Sequence, residues 1–153
     1  VKRARETVNR SRFLLLVGTV LLQGLDPTWG ADREVLRPRV PADQIAAARS
    51  VTNPLPATPE TIEKGKTLFN GKAFCRACHG ADGKGLGPDL QLKGPLPRNF
   101  TDKAWQKARS DGELIWILKN GSPGTDMAPF IPLVLTEEEA WQVLLYVRSF
   151  GQP

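Results

Sequence analysis

Cys75-Arg76-Ala77-Cys78-His79 is the stretch on which the reading of this chain turns. The 153 residues contain two cysteines, one histidine and one methionine, and this pentad holds three of those four. Thiols at positions i and i+3 lie about one helical turn apart. Their sulfurs can therefore reach neighbouring vinyl groups on one edge of a porphyrin. The histidine that follows at once can swing its ring beneath the macrocycle and offer a nitrogen to iron. Cys-x-x-Cys-His is thus the attachment signature of a c-type haem. Met127 lies downstream in Gly124-Thr125-Asp126-Met127-Ala128-Pro129-Phe130. Its thioether is a soft, neutral ligand that favours ferrous iron and raises the reduction potential. His79 and Met127 are the two candidate iron ligands.

Three other readings of the pentad stay open on counting alone. A thioredoxin-type redox pair would want a βαβ context, and none is visible nearby. A structural zinc site needs four protein ligands, so a carboxylate or a second chain would have to help. A plain disulfide leaves His79 without a purpose.

Charge and composition limit the partners. The chain carries 21 basic and 16 acidic side chains, a formal charge of +5. Residues 1–30 hold five of the basic and two of the acidic groups, so only +2 falls on residues 31–153. Scattered lysines do not make the basic stripe that a nucleic-acid partner requires. Lys2, Arg3, Arg5, Arg10 and Arg12 precede an apolar run from Phe13 to Leu25, which is short for a bilayer span. Thr28-Trp29-Gly30 places small residues where a leader would be cut. Residues 1–30 read as a secretory signal peptide, the alternative being an uncleaved anchor. An exported, periplasmic location follows from either, with membrane association from the second.

Residues 31–57 are rich in proline, alanine and arginine. Pro38, Pro41, Pro54 and Pro56 predict extended backbone, broken at most by a short helix across 41–50. The stretch is a linker or a docking strap. The compact domain spans 58–153. Thr58-Pro59-Glu60 opens a helix to residue 70. The glycines and prolines between Gly80 and Phe100 predict one long wrapping loop, of the kind that packs on a ligand. A short helix follows over 101–108. Ser110-Asp111-Gly112-Glu113 and Thr136-Glu137-Glu138-Glu139 are capping boxes. They predict a buried helix to residue 118 or 119, stopped by Asn120-Gly121, and a last helix to about Ser149. The fold class is all-α, with four to five helices. Its core is too small to fold firmly without a central apolar group.

The order helix, Cys-x-x-Cys-His, loop, helix, methionine segment, helix resembles a class I cytochrome c domain over residues 58–150. The resemblance implies a small all-α fold wrapped around one covalent haem c. It implies that Gly65 and Phe69 on the first helix pack on Val143 and Tyr146 of the last, with Trp141 nearby. Gly87-Pro88-Asp89-Leu90 is similar to the loop whose proline carbonyl holds the proximal histidine, here Pro88 to His79, while Leu90 packs on the haem. Pro97-Arg98-Asn99-Phe100-Thr101 is similar to a segment of some bacterial members, with Arg98 pairing a propionate. Trp105 and Trp116 would line the pocket or donate an indole N–H to a propionate. The pattern departs at Ala128, since many relatives place proline directly after the methionine.

Function follows as expectation. The chain should be a monohaem electron carrier, not an enzyme, serving a redox protein such as a reductase, oxidase or dehydrogenase. Lys64, Lys66, Lys72 and Lys84 are the candidate contacts to an acidic partner. A second reading is a haem-bearing subunit of a larger membrane-associated respiratory or oxidoreductase complex. A third is a haem open to peroxide or a small gas.

Overall fold

The computed structural model describes residues 34–85 and 91–152. The proposed leader at 1–30, together with Pro88 and Leu90, lies outside the described residues. Six helices, and no strand, are found among them: α1 (Ile45–Arg49), α2 (Pro59–Asn70), α3 (Arg76–His79), α4 (Lys103–Ala108), α5 (Asp111–Asn120) and α6 (Glu137–Ser149). The four longer ones are those the sequence predicts. Helix α1 is the short helix allowed across 41–50, and the one extra is α3, the pentad itself wound into one turn.

Local chemistry sets the helix ends. The Thr58 hydroxyl accepts from Thr61 N–H, and the Thr61 hydroxyl accepts from Thr58 N–H, with Pro59 at the first helical position. Asp102 Oδ1 accepts from the N–H groups of Ala104 and Trp105 at the start of α4. Both predicted capping boxes are closed. Ser110 and Glu113 serve each other's backbone at 2.9 and 3.1 Å, and Thr136 and Glu139 do so at 2.8 and 3.2 Å.

Helices α2 and α6 pack hardest against each other. Gly65 makes this possible: a Cβ there would stand 2.0 Å from the carbonyl oxygen of Gln142. One turn on, Phe69 is fully buried. Its ring meets Tyr146 edge-on at 5.3 Å and lies 5.8 Å from Phe150. Leu114, Ile115 and Leu118 of α5 and Trp141, Val143, Leu144 and Val147 of α6 complete this core. Burying apolar area of this kind stabilises by roughly 25 cal/mol per Å² removed from water.

Residues 34–57 lie along this helical body. Val40 and Ala48 are buried. Asn53 Nδ2 donates to the Trp141 carbonyl, and Trp116 Nε1 donates to Gln44 Oε1. Helix α1 sits so close to α5 that a Cβ on Gly112 would fall 1.8 Å from the Ala48 carbonyl oxygen. The segment is called the strap below.

Candidate functional site

The core is hollow beside the pentad. A cavity of about 250 Å³ is bounded by Cys75, Cys78 and His79 on one element, and by Leu114, Ile117 and Leu118 on α5. Val143, Leu144 and Val147 of α6 add to its apolar wall, and the long loop brings Leu92, Leu96 and Phe100. Met127 reaches the same cavity, with Ala128 and Phe130 beside it.

The pentad is held as a single turn. Cys78 N–H and His79 N–H both donate to the Cys75 carbonyl, at 3.2 and 2.9 Å. Phe74, at φ 50, makes the sharp entry into that turn. Non-glycine residues seldom adopt this left-handed conformation, and it marks strain beside a site. The two cysteines are free thiols, so the disulfide reading is not what the structure holds. Burial pushes the Cys75 thiol up to about 12. A reactive redox dithiol needs the opposite shift. Among the described residues no group of three or more His, Cys, Asp or Glu side chains gathers to hold a metal, so nothing completes a zinc tetrahedron.

His79 is oriented by two contacts. Its Nδ1 lies 3.2 Å from the Arg98 carbonyl oxygen, and its ring stacks on Phe100 at 4.3 Å. A carbonyl only accepts, so Nδ1 carries the proton and Nε2 is left bare. Burial pushes the imidazole pKa down, with the Arg98 carbonyl working against it. The ring is thereby kept neutral, the form that ligates metal. The proline carbonyl expected as this partner belongs to Pro88, outside the described residues. The partner within them is Arg98.

Met127 is set on a turn locked at both ends. Its N–H donates to Thr125 Oγ1, its carbonyl accepts from Ser122 N–H, and the Thr125 hydroxyl donates to the Ser122 carbonyl. Phe130 N–H and Ile131 N–H both donate to the Leu118 carbonyl, fixing the segment to the end of α5. Lys93 N–H donates to Asp126 Oδ2 and ties the long loop to the same turn.

The remaining expected residues divide. Trp105 is buried, lines the cavity and lies 5.4 Å from Phe100. Trp116 is absent from the cavity wall, because its indole N–H is turned to Gln44 of the strap. Arg98 lines the cavity and donates to the Glu34 carbonyl at 3.2 Å. Burial first, and then the Arg39 guanidinium, hold the Arg98 guanidinium below its ordinary pKa, with Glu34 opposing. Phe100 and Arg109 were not singled out from the sequence, yet both line the site. An aromatic in a glycine- and proline-rich loop carries no signal of its own. The Arg109-x-x-x-Glu113 spacing was such a signal. The four lysines expected to meet a partner each have a carboxylate of their own chain at hand. Lys64 is 2.8 Å from Glu60, Lys66 3.3 Å from Glu63, Lys72 2.7 Å from Glu139 and Lys84 3.6 Å from Asp82. They form no bare basic patch.

The cytochrome c family profile matches residues 62–151, and every side chain discussed in the pentad and the methionine turn falls inside that match. The chain belongs to the cytochrome c family. A cytochrome c domain carries covalently bound haem c, and it is an electron carrier rather than an enzyme. The cavity suits that group. Two free thiols one turn apart match its two points of attachment, a neutral imidazole with a bare nitrogen stands beside them, and the walls are apolar. At another part of the wall, the Nε of Arg109 is buried without a hydrogen-bond partner among the described residues, as expected where an acceptor belongs.

Two relatives place this cytochrome c among others. The chain is 28% identical over 118 residues to the cbb3-type cytochrome c oxidase subunit FixP of Rhizobium meliloti (strain 1021), covering 77% of this chain and 37% of that protein. A chain of the reducing HAO-like protein complex Kustc0457/Kustc0458 of Kuenenia stuttgartiensis superposes with a TM-score of 0.57 at 31% identity. That match covers 65% of this chain and 47% of the other. The chain therefore spans less than half the length of either relative.

Proposed function

We propose that this cytochrome c is an exported, periplasmic one-electron carrier whose haem iron is held by His79 and Met127. One observation carries the reading: the chain's two thiols, its imidazole and its thioether all border a single apolar cavity. Bound there, the haem supplies the Fe(II)/Fe(III) couple. His79, neutral and steered by Arg98, presents a nitrogen made more electron-donating by its Nδ1 hydrogen bond. Met127 offers a sulfur that favours the reduced state. The leucines and valines of α5 and α6 keep water away. The third reading, an open haem for peroxide or a gas, is not favoured, because a thioether already borders the cavity.

A second reading is supported by the relatives, both named as parts of multi-subunit assemblies. On it, the same haem passes electrons inside a larger membrane-associated respiratory or oxidoreductase complex. Among the described residues, no helix is long and apolar enough to cross a membrane. Attachment would then be through the partners or through residues outside those described. Solubilised native membranes decide between the two: co-purification of this chain with oxidoreductase subunits supports the complex, and recovery in the periplasmic fraction alone supports the free carrier.

The ligand assignment is tested by expression with a c-type maturation system. The expected product is red, retains one haem under denaturing conditions, and loses that retention when Cys75 and Cys78 are both changed to serine. The oxidised protein should show the weak absorption of sulfur bound to ferric iron, and Met127→Ala should abolish it and lower the potential. Persistence of the band in that variant would remove Met127 as a ligand.

A further inference from the structure

One end of the cavity is not explained by the thiols, His79 or Met127. Four guanidiniums line it: Arg37 and Arg39 from the strap, Arg98 from the long loop, and Arg109 just after α4. Such a gathering beside apolar walls is unfavourable unless anions answer it. Glu34 answers two, at 2.6 Å from Arg39 and 3.9 Å from Arg37. Glu113 answers Arg109 at 2.7 Å, but it is shared with Arg49 at 3.4 Å. Arg98 has a backbone carbonyl and, among the described residues, no ion pair. Asp102 stands near Arg98, but its Oδ1 is engaged by two N–H groups of α4. Arg109 keeps a buried Nε with no acceptor among the described residues. The cluster is thus short of negative charge on the side that faces the cavity.

A haem carries two carboxylates on one edge, and planar guanidiniums match carboxylates in pairs of parallel hydrogen bonds. We propose that Arg37 and Arg39 of the strap join Arg98 and Arg109 to form the carboxylate-binding end of this cavity, so that residues 34–40 cover the propionate edge of the porphyrin. This rests on the haem reading above and goes beyond it: the strap is part of the cofactor site, and it supplies charge to the redox centre. Positive charge held beside the haem disfavours the ferric state, so the strap raises the potential.

The test uses the full-length holoprotein. Arg39→Gln and the double variant R37Q/R39Q are compared with Lys66→Gln, which removes the same charge at an exposed residue of α2 that does not line the cavity. Two quantities are read: the midpoint potential and the propionate-bending band in resonance Raman. The expected result is a lower potential in R39Q, a further drop in R37Q/R39Q, a displaced band in both, and neither change in K66Q. Should R39Q fail to fold, Arg39→Lys still decides, since it keeps the charge and loses the paired hydrogen bonds. A displaced band with the potential kept supports the proposal, and an unmoved band overturns it. An unmoved band and potential in R37Q/R39Q likewise overturn it, as does an equal shift in K66Q. A wild-type chain that matures without covalent haem would instead overturn the haem reading itself.

Discussion

At the scale of single residues, what is legible depends on whether chemistry demands contiguity. Two thioether anchors and a proximal nitrogen must be neighbours in sequence, so the pentad declares itself. Met127 is legible because no second methionine competes with it. The role of Arg98 in steering His79 is hidden, because a backbone carbonyl leaves no mark on residue type. Trp105 and Trp116 could not be told apart either. Helix α5 is apolar nearly all round, so spacing does not say which face meets the cavity. Gly65 is a case where magnitude decides sign. In a bare helix, Gly→Ala gains up to about 1 kcal/mol. Here the added methyl would overlap the Gln142 carbonyl at 2.0 Å, and α2 and α6 would have to part. Overpacking of this kind costs about 1–3 kcal/mol. Gly65→Ala should therefore lower the thermal midpoint of the holoprotein. A midpoint unchanged or raised would mean that the two helices do not touch there.

At the scale of elements, the capping boxes made α5 and α6 readable to within a residue or two, since their signals are local. The strap was not readable in that way. Proline content argues for extended backbone but says nothing about which surface that backbone meets. The contact that seats α1 is made by Gly112, which in sequence is one of the two unspecified positions of a capping box. A Cβ there would lie 1.8 Å from the Ala48 carbonyl and 2.7 Å from that of Val51. Gly112→Ala should push α1 off α5 while leaving the α2–α6 contact intact. The measurement is limited proteolysis of the folded holoprotein. The variant should be cut within residues 41–57 faster than the wild type, with the haem domain surviving as a resistant fragment. Equal cutting rates would show that α1 does not depend on that approach.

At the scale of the whole molecule, one buried ion pair joins strap, loop and helix. The side chains of Glu113 and Arg109 are 3% and 7% exposed, and they meet at 2.7 Å. Arg49 of α1 approaches Glu113 from the strap side, and Ser110 N–H donates to it at 2.9 Å. Arg109 in turn donates to the Leu36 carbonyl. Burial works to raise the Glu113 pKa, but the Ser110 N–H, Arg49 and Arg109 together overrule it and hold the carboxyl below its ordinary value. A carboxyl whose pKa is depressed by folding binds fewer protons folded than unfolded in the window between the two values. Its contribution to stability is therefore complete above the unfolded pKa of about 4.3 and drains away as pH falls through the lower folded value. Acid should loosen the strap and the arginine end of the cavity together, since both hang on this carboxylate. Glu113→Gln leaves Arg109 buried without its counter-charge, and breaking such a pair costs about 3–5 kcal/mol. Denaturant unfolding of the holoprotein should show that loss at pH 7. It should also show a difference between variant and wild type that shrinks as the pH falls through the depressed folded pKa, where the wild type itself loses the charge. A gap that stays constant from neutral to acid pH would mean that Glu113 acts through packing and not through its charge.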